Sequence, residues 1–280
     1  MTRSALTQRF DDWMYERIPA FRNSIQAAQA EHDANSHLID LPNGPLEYTI
    51  RGAGKPTVLI SHTAMGGYDQ SLATGLRFEN NRVIAPSRAG YLRTPLRTGE
   101  TPAQMADAYA QLLDALEITK PLVMVGFSAG GMSAVEFAIR HPQRVKGLIL
   151  GSAVLGSPPR YVMDVLAPLG LSIDSDFVNW VTGRIAALSI PLRTNDTTTR
   201  RILKAFNDVT PASQRWPGYE NDVRQMRHFQ PHLERVAVPV LMIHGTMDVL
   251  VPYSHAQANV ERFSDAELLT IKGGQHDCPV

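Results

Sequence analysis

The sequence predicts an α/β chain: a mostly parallel, twisted sheet with helices on both faces, broken once by a helical insertion. Three observations carry this. Short apolar runs alternate with helix patterns from residue 57 to 150 and again from 239 to 271. Residues 155–236, between them, are helical in pattern and lack buried-strand runs. Finally, Gly126-Phe127-Ser128-Ala129-Gly130, a G-x-S-x-G pattern, stands where an apolar run meets a helix-forming run.

The elements follow in order. Leu6, Phe10, Trp13, Met14 and Ile18 form an apolar stripe at helical spacing within 4–18, a helix that packs on the core or on a partner chain. Runs 36–41 and 46–51 flank Pro42-Asn43-Gly44-Pro45, which predicts a hairpin. Residues 57–61 and 82–85 read as strands with a short helix, 70–78, between them. Thr101 caps a helix with Pro102 at its first position, where the missing N–H has no helical partner to lose. Then come a strand at 122–125, a helix at 129–140 stopped by His141-Pro142, and a strand at 145–150. After the interruption, a strand at 239–243, a helix at 254–262 and a strand at 267–271 complete the pattern.

This divides the chain into an N-terminal helical extension (1–35), a core (36–154 and 237–280) and a helical cap (155–236). The cap is expected over the carboxyl ends of the strands, where α/β sheets bind ligands. Phe177, Trp180, Leu188, Phe206 and Trp216 are its candidates for pocket walls and for its own core.

Composition narrows the function. The 280 residues carry 27 basic and 27 acidic side chains, and a net charge of zero argues against binding nucleic acid through its backbone. A single cysteine, Cys278, cannot form an internal disulfide framework and suits a reducing compartment. The N-terminal residues lack the apolar core of a secretory signal, and no run is long enough to span a bilayer. The expected location is the cytoplasm.

Ser128 is the candidate nucleophile, because a strained strand-to-helix turn pushes its hydroxyl out of the sheet. A serine hydroxyl is too weak to attack an acyl carbon unaided, so it needs a base in hydrogen-bond reach and a third group to orient that base. His276, after Gly273-Gly274-Gln275, is the candidate base. Asp248, in His244-Gly245-Thr246-Met247-Asp248 at the end of a strand, is the candidate acid. Backbone N–H groups of Ala129 and Ala64 are the candidate oxyanion donors. His62 and His244 end strands and read as loop-holding groups, whereas His32, His37, His141 and His255 read as surface residues. His228 and His232 stand four apart, but Pro231 disfavours the helix a metal pair would use. No Cys/His spacing fits zinc. Gly52-Ala53-Gly54-Lys55-Pro56-Thr57 is no phosphate loop, since it precedes a strand. Arg88, Arg93 and Arg97 read as a solvated or structurally paired set.

These motifs resemble the α/β-hydrolase superfamily over residues 45–155 and 236–276. The resemblance rests on residues 62–67, 82–91, 126–131, His141-Pro142, 244–248 and 273–276. It implies the α/β-hydrolase fold and a Ser-His-Asp hydrolase that needs no cofactor and takes a small-molecule substrate. Relatives that open epoxides or displace halide carry an aspartate nucleophile, so Ser128 directs the expectation to acyl chemistry, with a small to medium carboxylic ester favoured. Cleavage of a carbon–carbon bond, amide or lactone hydrolysis, perhydrolysis and aminopeptidase activity are the rivals on the same fold. An aminopeptidase would want a cap acid for a free amine, with Asp164, Asp174, Asp176 and Glu220 as candidates. A ligand-binding protein on the same scaffold is the reading from another class, and a homodimer through the N-terminal helix or cap fits any of these.

The sequence departs from the family pattern at three places. Thr63 replaces a usual glycine, Ser87 replaces a common aspartate, and the chain runs only to Val280 where many relatives add a final helix behind the histidine. The N-terminal helix is a candidate substitute for that brace.

Overall fold

A computed structural model describes residues 4–157 and 174–277. Its eight strands are β1 (His37–Leu41), β2 (Gly44–Arg51), β3 (Thr57–Ser61), β4 (Arg82–Pro86), β5 (Leu122–Phe127), β6 (Val145–Gly151), β7 (Val240–Gly245) and β8 (Ala266–Ile271). They form one sheet in the order β1-β2-β4-β3-β5-β6-β7-β8. The β1–β2 and β2–β4 pairs are antiparallel, and every pair from β4 through β3 to β8 is parallel. Leu41 pairs with Gly44, so the hairpin turns on Pro42 and Asn43.

Alternation along the central strands divides the core. Leu59, Ile84, Met124 and Leu148 face one cluster, completed by Tyr109 and Leu112 of α4 (Pro102–Ala115) and Phe137 of α5 (Gly130–Arg140). Val58, Ile60, Val83 and Val125 face the other, beneath Phe78. Period-2 alternation with both faces apolar is what a buried parallel sheet requires. Thr101 caps α4 in a reciprocal box: its hydroxyl accepts from Gln104 N–H at 3.2 Å, and its own N–H donates to Gln104 Oε1 at 3.0 Å. The helix expected at 70–78 is α3 (Tyr68–Thr74) followed by a tighter 3₁₀ turn.

The N-terminal extension holds two helices, α1 (Ala5–Arg17) and α2 (Pro19–Asn35). The second has few apolar residues, but Pro19 starts it and Phe21, Ile25 and His32 share its buried face. His32 is therefore a buried residue, not the surface group expected, with its ring edge-on to Tyr68.

Within 155–236 the described helices are α6 (Asp176–Arg193), α7 (Thr197–Asn207) and α8 (Trp216–Met226). The extension packs on α6: Phe177 and Trp180 meet Phe10 and Phe21 in a cluster of tilted and edge-on rings. The N-terminal helix thus braces the insertion. A final helix, α9 (Tyr253–Val260), joins β7 to β8.

Candidate active site

Ser128 sits between β5 and α5 at φ 49°, a left-handed conformation that a serine adopts only when its surroundings impose it. Those surroundings are explicit. Its N–H donates to Gly151 O at 3.0 Å, and its carbonyl accepts from Gly131 N at 3.0 Å and Val154 N at 2.9 Å. The flanking glycines are needed for space. A Cβ on Gly126 would lie 2.6 Å from Ala134 Cβ, and one on Gly130 would lie 2.3 Å from Ser61 O. The backbone strain is carried by the serine itself.

His276 follows β8 on a turn where Gly273 has φ 73°. This loop is stitched to the one after β7: Met247 N–H donates to Gly274 O, and Gly273 N–H donates to Thr246 Oγ1, each at 2.9 Å. The stitching brings His276 and Asp248 together, with His276 Nδ1 2.8 Å from Asp248 Oδ2 and Nε2 3.0 Å from Ser128 Oγ. Arg193, in the last turn of α6, pairs with Asp277 beside the histidine.

Asp248 is buried, and burial alone would raise its pKa. Hydrogen bonds from His244 and His276, the charge of His276 and the N–H of Val251 outweigh that and hold it well below the usual carboxylate range. Its Oδ1 accepts from Leu250 and Val251 N–H, both at 2.9 Å. An ionised Asp248 makes His276 Nδ1 the donor, which leaves Nε2 as the acceptor for the serine proton.

The loop after β3 is equally constrained. His62 Nε2 accepts from Arg88 N–H at 2.9 Å, so Nδ1 carries the proton and donates to Thr63 O at 2.7 Å. Burial, and then the Arg88 charge, lower the His62 pKa well below its ordinary value. Thr63 has a local purpose: its hydroxyl donates to Gln70 Oε1 at 2.8 Å and so ties the loop to α3. Ala64 and Ala129 join one apolar cluster beside Ser128 with Met132, Val154, Met226, Phe229 and Val251. These residues are scattered along the chain and meet next to the serine turn, where Val154 N–H donates to Ser128 O. Of the expected wall residues, Phe177 and Trp180 hold the extension, and Leu188 is 77% exposed.

Sequence reasoning left several partnerships unseen. Arg88 forms a two-pronged buried ion pair with Asp222 of α8, at 2.6 and 2.7 Å. Arg215, 1% exposed at the start of α8, grips Asp69 of α3. Arg93 pairs with the buried Glu47, to which the Ser87 hydroxyl also donates at 2.8 Å. The aspartate common at position 87 would there face a second buried carboxylate, and serine removes the repulsion. His255, expected at the surface, is half-buried; its Nε2 accepts from Leu155 N–H, and burial lowers its pKa to about 4. His244 holds its loop by facing Val251 O at 2.7 Å. Asp176 accepts from Ser213 N–H, while Asp164 and Cys278 lie outside the described residues. Among the described residues, no group of three or more His, Cys, Asp or Glu side chains is placed to hold a metal ion, and no helix is long and apolar enough to cross a membrane.

The sequence signature of the family described as serine aminopeptidase, S33, matches residues 57–279. The hydrolase YcgS of Bacillus subtilis is 26% identical over 258 residues, covering 85% of this chain and 90% of that protein. RutD of Yersinia enterocolitica, described as a candidate carbamate hydrolase, is 29% identical over 246 residues, with 82% and 84% covered. An α/β-hydrolase-fold protein from Nakamurella multipartita superposes with a TM-score of 0.68 at 26% identity, covering 86% of this chain and 92% of that one. The chain belongs to the S33 serine aminopeptidase family of α/β-hydrolases.

Proposed function

We propose that the protein is a serine hydrolase that cleaves a small to medium carboxylic ester through an acyl-enzyme on Ser128. The observation that carries this reading is the unbroken hydrogen-bond chain from Ser128 Oγ through His276 to Asp248, at 3.0 and 2.8 Å. In this reading His276 takes the serine proton as Oγ attacks the carbonyl carbon, and Asp248 stabilises the imidazolium that forms. The N–H groups of Ala64 and Ala129 receive the oxyanion. His276 then protonates the leaving alcohol and, in the second half, activates the water that releases the acid. The apolar cluster that includes Ala129 and Ala64 suits a hydrocarbon acyl or alcohol group.

The name given to RutD supports a second reading, hydrolysis of a carbamate, which differs from an ester only in the nitrogen on the carbonyl. The family's description points to peptide amines. Against that, Asp176 is engaged by Ser213 N–H and Asp222 by Arg88, away from the role of holding a free amine.

The test is labelling with a fluorophosphonate, located by mass spectrometry, on wild type and Ser128→Ala. Label on Ser128 in wild type alone supports the reading, and unlabelled folded wild type overturns it in favour of a binding protein. A panel of esters, carbamates, lactones and amino-acid amides then separates the substrate classes.

A further inference from the structure

The peptide between Thr63 and Ala64 is held from one side. Its carbonyl oxygen accepts from His62 Nδ1 at 2.7 Å, from Arg88 Nη2 at 3.1 Å and from Gly66 N–H at 3.3 Å. In a planar trans peptide the N–H points opposite the C=O, so whatever fixes the Thr63 oxygen fixes the direction of the Ala64 N–H. Arg88 does more than contribute one bond. Its Nε donates to His62 O at 3.0 Å, and its backbone N–H sets the His62 tautomer that makes Nδ1 a donor. A charged donor on the carbonyl also polarises the peptide and makes its N–H a stronger donor.

Arg88 is in turn aimed by the insertion. Both prongs of its guanidinium meet Asp222, and Tyr91 Oη donates to the same carboxylate at 2.5 Å. The loop carrying Arg88 is stitched to the start of α8: Gly218 N–H donates to Gly90 O, and Leu92 N–H donates to Gln214 O, each at 2.8 Å. A Cβ on Gly218 would lie 2.2 Å from the Tyr91 ring, so the two segments touch with no room between them.

We propose that Arg88 is a positioning residue for the oxyanion site, aiming the Ala64 N–H through the Thr63 carbonyl, and that Asp222 of the insertion holds Arg88 in that pose. This rests on the reading of Ser128 as nucleophile. It makes α8 part of the catalytic scaffold, acting on the Ala64 donor through Asp222 and Arg88.

Thr63-Ala64 is the one Thr-Ala dipeptide in the sequence. Carbonyl-¹³C threonine with ¹⁵N alanine therefore gives a single correlated peptide signal, readable without turnover. The test compares wild type, Arg88→Lys and Asp222→Asn by this signal, by the rate of fluorophosphonate reaction at Ser128, and by kcat and KM on a 4-nitrophenyl ester. In Arg88→Lys the signal moves, and phosphonylation and kcat fall together by about 10- to 100-fold, less than or equal to the loss of one oxyanion donor, while KM stays within about twofold. Asp222→Asn does the same in lesser degree. A role in folding alone would not give this split between kcat and KM. An unmoved signal, or phosphonylation by Arg88→Lys within about threefold of wild type, overturns the proposal. Wild type that is never labelled at Ser128 overturns the reading beneath it instead. If Arg88→Lys does not fold, Asp222→Asn decides by the same criteria.

Discussion

Asp11, on the first helix of the chain, caps the helix that begins at Asp176. Its carboxylate accepts from Ser175 Oγ at 2.6 Å, Asp176 N–H at 2.7 Å and Phe177 N–H at 3.1 Å. Ser175 fills the usual capping role itself, accepting from Val178 N–H. Two side chains thus satisfy the orphan donors of α6, and the buried carboxylate meets the positive end of the helix.

Asp11→Ala removes three hydrogen bonds and a buried anion from that terminus. Denaturant unfolding should show a loss of about 2 kcal/mol. The Ser128 labelling rate should change little, since those three hydrogen bonds end on residues 175–177 and not on the serine, the histidine or Asp248.

Asp248→Asn leaves the shape of the acid but favours the wrong imidazole tautomer. The ester rate should fall by about 10³–10⁴-fold with KM little altered, measured by steady-state kinetics. A loss below tenfold would mean that another group orients His276.

Gly130→Ala places a methyl group against the Ser61 and His62 carbonyls, at 2.3 and 2.4 Å. Backbone has to move, so thermal unfolding should fall by several degrees, a cost of about 1–3 kcal/mol. Turnover should drop further than stability, because the shift lands on the serine turn and the loop bearing Ala64.

The Asp69–Arg215 pair sets an acid limit. The Arg215 charge and hydrogen bonds overcome burial and lower the Asp69 pKa to about 2. A carboxylate with a depressed folded pKa stabilises fully above its unfolded value of 3.8, and that share is lost as pH falls through about 2. The share is about 2 kcal/mol. Urea unfolding between pH 5 and pH 2 should therefore steepen for wild type and flatten for Asp69→Asn. The variant should also be less stable at pH 7, by about 3 kcal/mol, because Arg215 is left buried without its partner.

The sheet and the serine turn were legible because their signals are local. Each buried strand is a short apolar run, and G-x-S-x-G records a packing constraint within five residues. Asp248 and His276 were legible because strand ends and glycines mark the loops that carry them. The second helix of the extension was not, since its buried face includes His32 and mixes polar with apolar residues. The partnerships of Arg88 with Asp222 and of Asp11 with residues 175–177 span more than 130 residues and leave no spacing to read. The same holds for the apolar cluster that includes Ala64 and Ala129, whose members come from five separate stretches of chain and converge only in the fold.

The described residues of the insertion fall into two unlike parts. Helix α6 leans on the extension and α7 packs on α6 and α3, while α8 is fastened to the body by the buried Arg88–Asp222 pair, the half-buried Arg215–Asp69 pair and two backbone hydrogen bonds. Anyone grafting a new lid from a relative should therefore cut at residues 208–213 and leave 215–222 in place. A transplant bounded at 155 and 236 would carry off Asp222 and Arg215, stranding Arg88 and Asp69 in the recipient with opposite charges and nothing to neutralise either.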